Sequence, residues 1–263
     1  MQSTKNSNGE SEWLNTLQAR QNKCRGCRGL DSCRQTPKGF IPTAEESLGR
    51  KYESYAICKY ERQRRAQEKI NTRFHNSGIP AIYRDKTKDD YSVCDRNLDA
   101  VSTAKRIAES QEGAYFYGVQ GTGKTLLVSL VAIRKTNSGE QVLFISVPEL
   151  MAELRRAMAV HEEVQKLELA KVADCLILDD LGAEKMTEWV GSQLFSILDY
   201  RLNHNLQTII TSNYSPQDVA RRLAVNDTDD MQGRRILSRI HGLCSVVRID
   251  GRDGRISERV QFG

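Results

Sequence analysis

From residue 79 onward the apolar positions follow two alternating rhythms. Short apolar runs at 114–118, 141–146, 174–179, 207–212 and 245–249 predict strands buried within a sheet. Between and around them, near 95–110, 124–136, 148–171, 188–204, 216–223 and 232–241, apolar residues recur at helical spacing and predict helices. Strand and helix alternating in this way predict a three-layer α/β domain built on a mostly parallel sheet.

Upstream the pattern changes. Residues 1–12 are polar and read as disordered, and 13–35 hold three cysteines among Arg, Gly and Asn, which reads as a loop-rich module rather than a core helix. Two prolines and a glycine make 36–42 extended. The stretch 48–60, with Tyr52, Tyr55, Ile57, Cys58 and Tyr60, reads as strand, and 61–74 is charged with helical spacing. Gly78 and Pro80 mark the expected hinge. The expected division is therefore a disordered 1–12, a small module at 13–78 and the α/β domain at 79–263.

Composition sharpens this division. Of 263 residues 39% are hydrophobic and 28% charged, and no apolar run approaches the roughly 18 residues of a membrane span. The polar N-terminus lacks the apolar segment of a signal peptide or anchor, so a cytoplasmic location is expected. Residues 1–78 hold 15 Lys and Arg against 8 Asp and Glu, which concentrates the positive charge in the first third. Such a segment suits nucleic acid, an acidic protein surface or plain solvation.

The cysteines cluster in the same third. In a reducing compartment disulfides explain such a cluster poorly. Cys24-x2-Cys27-x5-Cys33-x24-Cys58 supplies the four thiols of a tetrahedral structural zinc site. Residues 13–60 also have too few large apolar side chains for a core, and a metal supplies the missing folding free energy. Four unrelated reduced cysteines, or His75 in place of one thiol, are the alternatives. Cys94, Cys175 and Cys244 read as ordinary buried residues.

The most specific chemistry lies at 118–125, Gly-Val-Gln-Gly-Thr-Gly-Lys-Thr, a full match to the phosphate-binding loop G-x-x-x-x-G-K-[ST]. Gly118, Gly121, Thr122 and Gly123 let main-chain N–H groups close around an anion, Lys124 neutralises terminal phosphates, and the Thr125 hydroxyl is suited to Mg2+. A strand before the loop and a helix after it aim a helix N-terminus at the phosphates. Further on, 175–182 is an apolar strand ending in Asp179 and Asp180, the first suited to hold Mg2+ through water and the second to polarise the attacking water. The strand at 208–213 ends in Asn213, able to contact the terminal phosphate or the water. Arg235 and Arg239 lie four apart on one helical face and suit a cation supplied to a neighbouring subunit. Tyr83 is a candidate for stacking on a base. Arg155 and Arg156 are candidates for single-stranded DNA, with Lys166 and Lys171 behind them.

In this order and spacing, GVQGTGKT, LILDDLGAE at 176–184, IITSNY at 209–214 and RRILSRI at 234–240 resemble the AAA+ ATPases of the helicase-loader family (DnaC/DnaI type). The resemblance runs over nearly the whole chain. It includes the cysteine-bearing fragments KCRGCRGLDSC at 23–33 and YAICKYERQR at 55–64, which are similar to the N-terminal zinc-binding region of the primosomal members. It implies an AAA+ P-loop NTPase with ATP, Mg2+ and Zn2+ as cofactors. Lys124 and Thr125 become nucleotide and Mg2+ contacts, Asp179 and Asp180 the Walker B acids, Asn213 sensor 1, and Arg239 a trans-acting arginine finger beside Arg235. The implied partners are a hexameric replicative helicase, held by the N-terminal module, single-stranded DNA, held by the ATPase domain, and further copies of that domain. Two features depart from the wider AAA+ pattern. Asp-Asp stands where many members have Asp-Glu, which implies slow turnover, and the chain ends about 23 residues after Ile240, so a lid with a sensor 2 arginine is not expected. A transposition helper ATPase of the same clade and a nucleotide-gated adaptor with negligible turnover are the competing readings.

Overall fold

The computed structural model describes residues 7–22, 24, 27–35, 37–47, 50–159, 165–223 and 231–251. The chain divides into two compact units, Met1–Asn71 and Thr72–Gly263.

The first unit contains helix α1 (Ser7–Asn22), the hairpin strands β1 (Phe40–Ser47) and β2 (Arg50–Ile57), and the start of α2 (Lys59–Asn76). The hairpin is antiparallel and runs in register from Phe40 opposite Ile57 to Ser47 opposite Arg50. Helix α1 corrects two expectations, since it begins inside the stretch read as disordered and fills much of the stretch read as loop. Its helix rests on tertiary contact more than on amphipathicity. Leu17 is buried, Gln21 Nε2 donates to the Pro42 carbonyl at 2.8 Å, and Arg20 pairs with Glu53 at 2.7 Å. Residues 1–6 of the expected disordered segment lie outside the described residues.

The second unit opens with three 3-10 turns, Ala81–Tyr83, Lys88–Asp90 and Asp95–Asn97. There follow α3 (Leu98–Glu109), β3 (Gly113–Tyr117), α4 (Lys124–Ser138), β4 (Val142–Ser146), α5 (Val147–Ala159) and α6 (Gln165–Val172). Then come β5 (Cys175–Leu181), α7 (Glu188–Asn203), β6 (Gln207–Ser212), α8 (Pro216–Leu223), α9 (Met231–Leu243) and β7 (Cys244–Arg248). The single helix expected over 148–171 is described as two, with 160–164 outside the described residues. The five strands β3 to β7 form one parallel sheet in the order β4-β5-β6-β3-β7.

Side chains alternate across this sheet and build two cores. Tyr115, Leu176, Leu178 and Ile210 face a core shared with α5 to α9, whereas Phe116, Cys175, Ile177 and Ile209 face one shared with α3 and α4. Layers on both faces explain why the strands read as continuous apolar runs rather than alternating ones.

The expected hinge is instead stitched to the sheet. Ser77 O accepts the Phe144 N–H at 2.7 Å, which pairs the segment with the outer edge of β4. Gly78 takes φ 76°, and a Cβ there would lie 2.2 Å from Phe144 O, so only glycine permits this approach. Ile79 follows directly into the core.

Candidate nucleotide-binding site

Strand order decides what meets at the C-terminal edge of the sheet. β3 delivers the phosphate loop, β5 delivers Asp179 and Asp180, and β6 lies between them, so its end at Asn213 falls between loop and acids. A parallel α/β sheet gathers ligand-binding groups at this edge.

The loop is held open as a cradle. Gly121 and Gly123 sit at φ 81° and 85°, and the Thr122 hydroxyl donates to Val119 O at 3.0 Å. Gly123 is the last residue before α4; a Cβ there would press on the Tyr91 ring at 3.2 Å. Leu127 N–H bonds to Gly123 O, so the helix starts at once and its free N-terminal amides point into the loop. Lys124 is only 6% exposed and donates to Gly118 O and Val119 O at 2.9 Å each and to Asn213 Oδ1 at 2.8 Å. The last contact joins two residues that sequence reasoning proposed for the same phosphate.

The acids are joined to the same group of side chains. Thr125 Oγ1 lies 3.2 Å from both carboxylate oxygens of Asp179. Thr211 Oγ1 donates to Asp179 Oδ1 at 2.5 Å. Burial pushes the Asp179 carboxyl above its ordinary range, the Asp180 charge adds to this, and the two hydroxyl contacts and Lys124 oppose it. Asp180 has φ 57°, unusual for a residue with a side chain, and its N–H donates to Thr211 Oγ1 at 3.0 Å. A cavity of about 370 Å3 is bounded by Gly121, Lys124, Thr125, Asp180, Asn213 and Tyr83, which brings the base-stacking candidate to the same place. A hydroxyl, a carboxylate and a helix N-terminus suit a hard divalent cation and polyphosphate, so the residues fit Mg2+ and a nucleotide. A larger cavity of about 750 Å3 between α3 and α4 is mostly apolar and holds none of the motif residues.

Sequence reasoning passed over Thr211 and Glu184. The first is indistinguishable in sequence from strand core. Glu184 has both carboxylate oxygens buried with no hydrogen bond of good geometry, and burial raises its pKa against the opposing main-chain N–H groups of Glu184 and Gly182 and the Arg222 and Arg155 charges. Its only sequence signal is its position beyond the two acids.

Other candidates lie elsewhere. Arg239 pairs with Asp199 at 2.9 Å and lies over the Phe195 ring at 4.8 Å, both on α7, whereas Arg235 is exposed. Arg155 lies over Trp189 at 4.9 Å and Arg156 is exposed. Lys166 and Lys171 pair with Glu153 and Glu168.

The zinc expectation is not supported by the side-chain geometry. Among the described residues no group of three or more Cys, His, Asp or Glu is placed to hold a metal ion. The sulfurs bond locally instead. Cys24 Sγ accepts from Gln35 Nε2, Cys27 Sγ donates to Gly29 O, and Cys33 and Cys58 each accept a main-chain N–H, from Gly39 and Glu61. Cys175 and Cys244 are buried as expected, and burial pushes Cys175 up to about 12, but Cys94 is exposed beside the third 3-10 turn.

Phosphate loop after β3, paired acids on β5 and a polar strand end on β6, all on one parallel sheet, define a P-loop fold of the AAA+ kind. The chain belongs to the IstB-like ATP binding protein family, which matches residues 41–261. It is similar to the replicative helicase loader DnaI of Bacillus subtilis strain 168, 30% identical over 148 residues, or 55% of this chain and 48% of that one. The match thus spans about half the length of that relative. It is also similar to the replicative helicase loader DnaC of Escherichia coli K12, 27% identical over 205 residues, 74% of this chain and 83% of that one. A crystal structure of DnaI superposes with a TM-score of 0.59 at 30% identity, covering 67% of this chain and 94% of the other. Among the described residues no helix is long and apolar enough to cross a membrane.

Proposed function

We propose that this protein binds ATP and Mg2+ at the 118–125 loop and acts as an ATP-dependent loader of a replicative helicase onto single-stranded DNA. The observation that carries the reading is a complete phosphate-loop constellation in a chain similar to DnaI over 94% of that solved structure. In this reading Lys124 and the α4 N-terminus take the phosphates, Thr125 and Asp179 take the metal, Asp180 orients water, and Asn213 reports the terminal phosphate to the sheet. Mg2+, when bound, neutralises charge on the phosphates. Hydrolysis is slow and depends on assembly, with Arg239 or Arg235 completing a neighbouring subunit's site. Arg239 is already engaged by Asp199, so Arg235 is the freer of the two. Arg155 and Arg156 contribute to the DNA surface.

Residues 1–78 hold the helicase, with zinc bound by Cys24, Cys27, Cys33 and Cys58. Four thiols in a stretch with few large apolar side chains, residues 13–60, support zinc. Zinc content of the purified protein decides this point, with one ion per chain expected and none overturning it.

The test of the whole reading is size exclusion with light scattering on the protein mixed with its host's replicative helicase, with and without ATP and Mg2+. A complex that survives loss of the ATPase unit but not of residues 1–78 supports a loader. No complex under any condition sinks it. The family takes its name from IstB of IS21, and this favours one second reading, a transposition helper ATPase, which would bind duplex DNA and a transposase instead. A nucleotide-gated adaptor is separated by turnover, measured against Asp180→Asn: equal rates would leave the adaptor.

A further inference from the structure

We propose that Thr211 is the positioning residue that sets both acids of the nucleotide site, by replacing with its hydroxyl the main-chain pairing that β5 and β6 lose there. The inference rests on the ATP-binding reading above and deepens it.

Main-chain pairing between β5 and β6 runs from Cys175–Gln207 to Leu178–Ile210, then skips to Leu181–Ser212. Three residues on β5 advance while β6 advances two, so Asp179 and Asp180 bulge at the point where they must present carboxylates. Two hydroxyls of β6 fill the gap, both from fully buried residues. Ser212 Oγ donates to Leu181 O at 2.6 Å and closes the far side of the bulge. Thr211 acts on the acids themselves. Its Oγ1 donates to Asp179 Oδ1 at 2.5 Å and accepts the Asp180 N–H at 3.0 Å.

One hydroxyl thereby performs two tasks. Its donated bond fixes the Asp179 carboxylate with its oxygens toward Thr125, the orientation a shared cation requires. Its accepted bond anchors the amide of Asp180 in the left-handed region at φ 57°, a conformation that persists only where surroundings impose it. Valine keeps the shape of threonine and removes both bonds. Serine keeps the hydroxyl and loses a methyl group.

The experiment compares full-length wild type with Thr211→Val, Thr211→Ala and Thr211→Ser. In Thr211→Val and Thr211→Ala the Mg2+ half-saturation of turnover should rise about tenfold. The turnover number should fall about 100-fold while nucleotide affinity without metal stays within about twofold. Thr211→Ser should restore most of the loss, which a mere packing role would not produce. Amide hydrogen exchange over 176–183 in the nucleotide-free protein gives a readout independent of ATP, and faster exchange at Asp180 is expected in Val and Ala but not in Ser. Unchanged Mg2+ dependence and turnover in Val and Ala, or unchanged Asp180 exchange, would overturn the positioning role. Should the wild type bind no nucleotide, the ATP reading falls, while exchange still decides whether Thr211 holds the bulge. Two hydroxyl-free variants of different size guard against loss of one to misfolding.

Discussion

Lys124 and Asp179 show how single residues divide the work of this site. Lys124 is held by neutral oxygens from the loop and from Asn213, an arrangement that positions an ammonium group beside incoming phosphate. Lys124→Ala should reduce triphosphate affinity by at least tenfold, about 1.4 kcal/mol, with a smaller effect on nucleoside monophosphate; titration calorimetry checks it. Equal losses for both ligands would place Lys124 away from the terminal phosphates. Asp179 gives the pH dependence. Burial holds its proton more tightly than an ordinary carboxyl does, and a divalent cation requires the ionised form. Affinity for Mg2+ should therefore be full above the raised folded-state pKa and decline as pH falls through it, earlier than for an ordinary aspartate. Asp179→Asn should flatten that decline at a uniformly low affinity. The same shift acts on folding with the sign of a raised acid: the folded chain retains the proton longer, so this group's contribution to stability diminishes as pH rises from the ordinary carboxyl range through the folded pKa.

At the scale of elements, burial of a charge can serve architecture alone. Arg201, at the end of α7, is completely buried, and burial pulls its pKa down to about 10. Its guanidinium donates to the carbonyls of Ala170 and Lys171 in the last turn of α6 and of Ala173 just beyond it, and to Thr208 Oγ1 and the Gln207 carbonyl, which begin β6. One side chain thus caps the C-terminal end of a helix and ties it to a strand two layers of sequence away. Arg201→Met should cost about 3 kcal/mol in urea unfolding, because several buried carbonyls lose their donors together. A loss below about 0.5 kcal/mol would mean that water replaces them. No sequence pattern reveals such a residue, since an arginine at a helix end reads as solvated. The sheet, by contrast, was legible almost to the residue: β6 spans 207–212 as expected, because apolar runs between breakers have little alternative use. Helix α1 was not, since its sequence offers little periodicity and its order comes from Gln21 and Arg20 reaching the hairpin. The site divided the same way. The loop and acids announce themselves by residue type, whereas Thr211 and Glu184 acquire meaning only from a bulge and from burial.

For the whole molecule the question is where the ATPase unit begins. The sequence places the break at Gly78 and Pro80, while the compact division falls at Asn71 and Thr72, inside α2. The residues between carry structure. The Ser77 carbonyl accepts the Phe144 N–H on the outer edge of β4, and Gly78 packs closely against the Phe144 carbonyl. β4 is an edge strand of the five-stranded sheet, so without this cover its N–H and C=O groups would be open to pairing with another chain. Two fragments that differ by seven residues therefore separate the boundaries. The fragment 72–263 should remain monodisperse and bind nucleotide like the full chain. The fragment 79–263 keeps every residue of the nucleotide cavity but exposes the β4 edge; it should melt several degrees lower and scatter light on concentration. If 79–263 matched 72–263 in melting temperature and dispersity, Ser77 and Gly78 would be a passive linker and the unit would begin where the sequence suggests. If it failed as expected while retaining affinity before aggregation, the segment would be part of the sheet.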